Sequence, residues 1–185
     1  MANAENGYAR YLDGDKSGIE DIVKEYNDSL IFFINGYVKD LMTAEDLAAD
    51  TICKLLIKRK KFRSDKGASF KTWLFTIARN TALDWLRNSA RHSLVTLSET
   101  DGYDEPSFDD VLLKDDRAKA LHKAMSGLCS DYREVLHLLY FEDLSYIQAA
   151  TVMRKNEKQI KNLAYRAKQA LKNALEKEDC VNENL

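Results

Sequence analysis

Between residues 58 and 73 the cations Lys58, Arg59, Lys60, Lys61, Arg63, Lys66 and Lys71 interleave with Phe62, Phe70 and Trp73. A positive groove with flat side chains suits a single-stranded nucleic acid, whose phosphates need counter-charge and whose unstacked bases need surfaces to lie on. Lys60, Arg63 and Lys71, with Arg79 and Asn80 further along, are the candidates for that contact. The three aromatics keep a second reading, because side chains of this type are usually buried in a core. Trp85 is assigned to the core, and Asp84 to a hydrogen bond or ion pair within its own domain.

A second cluster suits duplex DNA. From Glu157 to Glu176 the sequence has helical period: Ile160, Ala164, Ala167, Leu171 and Leu175 form one stripe. Lys158, Lys161, Asn162, Tyr165 and Lys172 lie opposite, flanked by Gln159 and Arg166. Lysine and arginine contact phosphates or guanine edges, and asparagine or glutamine pairs with adenine. A solvated basic face would look the same in isolation. Here a short capped helix precedes it, the sequence form of a helix-turn-helix.

Charge is partitioned along the chain. Residues 1–53 carry net −7, 54–91 net +9, 92–118 net −6 and 154–172 net +6, although the whole chain is only −2. The basic blocks are the candidate nucleic-acid surfaces. Enzyme chemistry finds no support, for no Gly-rich phosphate loop, nucleophile elbow or metal-ligand cluster is present. Cys53, Cys129 and Cys180 are far apart and odd in number, and His92, His122 and His137 are scattered, so neither a metal nor any other cofactor is expected. A reduced, cytoplasmic setting is the simplest reading. No apolar run approaches the roughly 18 residues that a membrane span needs. The first ten residues lack the apolar core of a signal peptide.

The elements that must position these residues are helical. Among 185 residues there is one proline and there are seven glycines, too few for a turn-rich β fold. The expected class is all-α, with two small domains at about 10–91 and 115–178 joined by an acidic linker at 92–114. Helical spacing runs over 19–41. A second helix follows with Thr43 as its cap and Leu47, Ala48, Thr51, Ile52 and Leu55 facing inward. A third covers Ser69 to Asn88 with Leu74, Ile77, Ala78, Thr81 and Trp85 inward. Past the linker come helices near 115–127 and 130–141, the latter with Ser130 as cap. Ser145 with Gln148 forms a capping box that opens a short helix ending near Met153.

With the motifs in place, the chain resembles the extracytoplasmic-function group of bacterial sigma factors. Phe62 to Arg87, FRSDKGASFKTWLFTIARNTALDWLR, is similar to the block that reads and melts the −10 promoter element. Glu142 to Leu171, EDLSYIQAATVMRKNEKQIKNLAYRAKQAL, is similar to the region 4 helix-turn-helix that reads the −35 element. By that resemblance Lys161, Asn162, Tyr165 and Arg166 are −35 readers, with Lys158 and Gln159 beside them. Thr43 to Leu56, TAEDLAADTICKLL, resembles the segment that docks on the polymerase clamp helices, which makes Glu45, Asp46 and Asp50 the expected core-binding residues. Departures include Arg154 where glycine is frequent, Leu163 for a frequent arginine, Ala49 for glutamine and Trp85 for tyrosine. The resemblance covers most of the chain and leaves no segment for the extra domain of housekeeping sigma factors. It implies a non-enzymatic specificity subunit. Expected partners are RNA polymerase core, through the clamp helices and flap region, promoter DNA and an anti-sigma factor. The alternative is a stand-alone helix-turn-helix regulator with an N-terminal interaction domain, which leaves the basic-aromatic block unexplained.

Overall fold

The computed structural model describes residues 2–58, 69–93 and 116–182, and every regular element among them is helical. All but the first two residues of the acidic linker, together with Lys60 and Arg63, lie outside the described residues. Helix α1 spans Ala2–Leu12, α2 Ser17–Val38, α3 Leu41–Lys58 and α4 Phe70–Ser93. After the linker come α5 (Asp116–Ser126), α6 (Ser130–Leu136) with a π-helical continuation His137–Phe141, α7 (Tyr146–Met153) and α8 (Glu157–Asn182). No helix among the described residues is long and apolar enough to cross a membrane.

The inward stripes follow the sequence period. Ile22, Tyr26, Leu30, Phe33 and Ile34 of α2 are buried, as are Leu47, Ala48, Thr51, Ile52 and Leu55 of α3. Helix α4 buries Phe70, Leu74, Phe75, Ile77, Ala78 and Thr81, with Trp85 half-buried beside them. Each such Leu, Ile or Phe contributes about 1.5–3 kcal/mol over leaving it exposed. Phe70 is therefore core, and Trp73 packs on its edge with ring centroids 6.1 Å apart.

Two expected caps are replaced. The helix that Thr43 was to open begins earlier, at Leu41. Asp40 caps it, its carboxylate accepting from the Thr43 amide at 2.7 Å. An ionised acceptor binds that free N–H more strongly than a hydroxyl and also suits the helix dipole. At α6 the capping position is Cys129, with no side-chain bond, and Ser130 is already helical. The Ser145–Gln148 capping box is present in both directions.

Helix α1 begins at Ala2, ahead of the first apolar repeat in the sequence. It crosses α2 where Gly7 meets Gly18: a Cβ on Gly18 would lie 2.0 Å from the Gly7 carbonyl oxygen. That closeness lets Tyr8, 1% exposed, reach into the core with its ring 5.4 Å from both Phe70 and Trp73. The two glycines thus position the start of α4 through Tyr8.

The N-terminal and C-terminal helices are in contact. Helix α7 lies against α4, and α6 against α2. Their seam includes a triangle of rings, Phe32, His137 and Phe141, with centroids 5.3 to 5.4 Å apart.

Candidate nucleic-acid interface

Helix α8 separates its faces as its sequence requires. Ile160, Ala164 and Ala167 are buried, while Lys158, Gln159, Lys161, Asn162, Tyr165 and Arg166 are all exposed. Asn156 and Gln159 form a reciprocal capping box, each side-chain oxygen accepting from the other's amide at 2.8 Å. Gln159 therefore commits its carbonyl oxygen to the helix end, and only its NH2 group remains for a base edge. Lys161 pairs with Glu157 at 2.6 Å and lies 5.8 Å from the Tyr146 ring centroid. The pair with Glu157 holds its ammonium above the usual lysine range. The turn between α7 and α8 rests on Arg154, left-handed at φ 53°, whose N–H donates to Thr151 at 3.4 Å.

The described candidates on α4 each bond to a residue of the C-terminal segment. Lys71 donates to the Glu142 carboxylate at 2.9 Å and to the Glu142 carbonyl at 2.8 Å. Arg79 Nε donates to Glu134 at 2.6 Å, and Asn80 Oδ1 accepts from Arg154 at 2.9 Å. Nearby, Gln148 donates to Ser69 Oγ at 3.2 Å, and Arg133 donates to the Gly36 carbonyl at 3.0 Å. Asp84 pairs with Arg87 one turn on at 2.6 Å, the intradomain role expected of it.

The two acids differ in environment. Burial pushes the Glu134 carboxyl up, and Arg79 only partly offsets this. Burial would raise Glu142 as well, but hydrogen bonds and charge from His137, Lys71 and Ser29 outweigh it and hold the group at about 2. Glu142 is therefore an anion throughout the physiological range. Neither acid was singled out from the sequence. The signal was available for Glu134, which precedes Leu138 by one helical turn and so falls on the buried stripe.

On α3, Glu45, Asp46 and Asp50 are exposed along one face while Leu47, Thr51 and Leu55 are buried on the other. Asp50 meets Lys54 at 3.6 Å, a solvent-exposed pair that leaves the face net acidic.

The sigma-70 region 2 family matches residues 22–92, and the sigma-70 region 4 family matches 118–171. The RNA polymerase sigma-H factor of Pseudomonas aeruginosa is 31% identical over 173 residues, spanning 88% of this chain and 89% of that protein. The extracytoplasmic-function sigma factor SigM of Bacillus subtilis is 28% identical over 154 residues, with 83% and 93% covered. The chain belongs to the extracytoplasmic-function group of the sigma-70 family. A solved sigma factor, RpoE of Bartonella quintana in complex with the anti-sigma factor NepR, superposes at TM-score 0.64 with 27% identity, over 85% of this chain and 96% of that one. In this sigma factor the region 2 match spans α2 to α4 and takes in the basic-aromatic block that the regulator alternative left unexplained. Region 4 spans α5 to the middle of α8, so the contacts of Lys71, Arg79 and Asn80 run between regions 2 and 4.

Proposed function

We propose that this sigma factor acts through three surfaces, one for polymerase core and two for promoter DNA. The acidic face of Glu45, Asp46 and Asp50 docks on the clamp helices of core polymerase, where a basic groove would be steered to it. Lys60, Arg63, Lys71, Arg79 and Asn80 bind the −10 element and stabilise its melted strand. Lys158, Gln159, Lys161, Asn162, Tyr165 and Arg166 bind the −35 duplex, with Gln159 acting as a donor only. The protein works in the cytoplasm, where core polymerase is found, and contributes no catalytic group of its own. The observation that supports this reading best is the full exposure of the polar face of α8, directly behind a capped α7.

The crystallised partnership of the Bartonella RpoE chain with NepR supports an anti-sigma partner for this chain too. The deciding experiment is size-exclusion chromatography with purified core polymerase. Wild type co-elutes with core, while Asp46→Arg with Asp50→Arg does not, although its helicity and thermal unfolding stay near wild type, as expected of exposed positions. Co-elution of the double variant would remove the core-binding role from this face.

A further inference from the structure

Away from the nucleic-acid surfaces, a half-open cleft of about 390 Å3 lies between the end of α2 and the α5–α6 segment. Small-molecule sites occupy roughly 300–1,000 Å3 and favour places where two domains meet. This cleft stands at the small end of that range, which suits a mononucleotide better than a dinucleotide or a peptide helix. From its lining, we propose that the cleft binds an adenine mononucleotide, with the base against Asn35 and the phosphate toward Arg133 and Lys39.

The base contact rests on Asn35, which lines the cleft and is 9% exposed. Its Oδ1 is buried without a hydrogen-bond partner. Buried polar atoms are nearly always paired, so an orphan in the wall of a cleft marks an acceptor for an incoming donor. Asparagine carries an NH2 group beside that oxygen. Acceptor and donor side by side match N6–H and N7 of adenine, the pairing asparagine makes in the major groove. Guanine presents two acceptors on the same edge and would leave Oδ1 unmet.

The walls beside Asn35 are rings. Phe32 lies 5.4 Å from His122 and 5.3 Å from His137, and Phe33 lies 5.2 Å from His137, between centroids. All four side chains line the cleft. Flat faces of this kind take a heteroaromatic base.

Arg133 supplies the charge. Its Nε donates to the Gly36 carbonyl, and its Nη1 donates to the carbonyls of Ser126 and Leu128. Each of these partners is neutral, and no carboxylate pairs with Arg133 among the described residues. A partly buried guanidinium without a counter-ion favours an anion, and its planar fork fits phosphate. Lys39 adds an exposed cation to the lining. The two acids of the lining are engaged elsewhere, Asp40 in capping α3 and Glu134 with Arg79. The charge left over for a ligand is positive.

The lining comes from both regions, so the full chain is the protein to test. Isothermal titration calorimetry measures AMP, with adenosine, ribose 5-phosphate and GMP as partial or altered probes. AMP binds once per chain, and the other three bind about tenfold more weakly or worse, the order expected when one bidentate contact is lost. Asn35→Ala weakens AMP and adenosine alike, again about tenfold. Its melting temperature is unchanged or raised, because a partnerless amide has no bond to lose. Lys39→Gly keeps the left-handed turn at φ 57° and weakens AMP while leaving adenosine as it was.

A lower melting temperature in Asn35→Ala would give its amide a structural partner and overturn the site. AMP affinity that survives this substitution overturns it too, because the nucleotide then sits on the basic DNA-facing surfaces. Ribose 5-phosphate that binds as tightly as AMP reduces the cleft to an anion seat. GMP that matches AMP removes the adenine edge, and either of these last results also overturns the proposal.

Discussion

At the scale of single residues, Glu142 sets a pH dependence. Its carboxyl sits at about 2 against an ordinary 4.5, facing His137, Lys71, Ser29 and Tyr26. A depressed acid stabilises the fold fully above its unfolded value and loses that contribution as pH falls through the folded one. The window is therefore pH 4.5 down to about 2, with at most about 3 kcal/mol at stake. Urea unfolding of wild type should weaken through that window, and Glu142→Gln should be less stable at neutral pH with a flatter acid limb. On α8, Arg166→Ala or Asn162→Ala should lower holoenzyme affinity for its promoter by about 1–3 kcal/mol and relax one −35 position, read by binding to single-base promoter variants. The exposed polar face of α8 was legible in the sequence because a helix face is a local property. The partners of Lys71, Arg79 and Asn80 were not, for they lie 55 to 74 residues away, and local spacing carries no information about them.

At the scale of elements, the inward stripes of α2, α3 and α4 could be read from period alone, as could the Ser145–Gln148 box. Asp40 was passed over because Thr43 offered the better-known capping pattern, although an aspartate directly ahead of an apolar run is an equally good signal. Helix α1 is weakly marked in the sequence because its apolar stripe is only Tyr8, Tyr11 and Leu12, and its contact with α2 rests as much on Gly7 against Gly18 and on the Arg10–Asp21 pair. That same economy makes α1 sensitive. Gly18→Ala would place a methyl group 2.0 Å from the Gly7 carbonyl oxygen, which is backbone and cannot turn aside. The expected loss is about 1–3 kcal/mol by urea unfolding, the usual cost of overpacking, together with faster proteolysis near residue 10 as α1 lifts. An unchanged midpoint and digestion pattern would show that α1 docks elsewhere.

For the molecule as a whole, the alternating charge blocks separate two kinds of contact. Lys60 belongs to the +9 block and carries a charge, whereas Asn80 carries none. In holoenzyme, Lys60→Ala should reduce the salt slope of promoter binding by about one and weaken binding at every sequence alike. Asn80→Ala should leave the slope unchanged and reduce permanganate reactivity of unpaired thymines in the −10 region. If the two variants respond alike to salt, the division of labour between them is wrong. The two helical regions themselves were legible from composition and period. Their docking was not, because it depends on buried ion pairs that join distant segments, and the register that buries Glu134 does not say which cation meets it.

The π-helical turn His137–Phe141 carries one residue more than an α turn would, and Glu142 follows it directly. Each residue added to a helix rotates everything downstream by about 100°. The direction in which Glu142 points is therefore fixed by a residue count as well as by residue type. Loss of a single codon within this stretch would convert the turn to ordinary helix and swing the carboxylate away from Lys71, with every charged group still encoded. Drift in length, which alignments treat as a trivial gap, would thus be as disabling here as drift in composition.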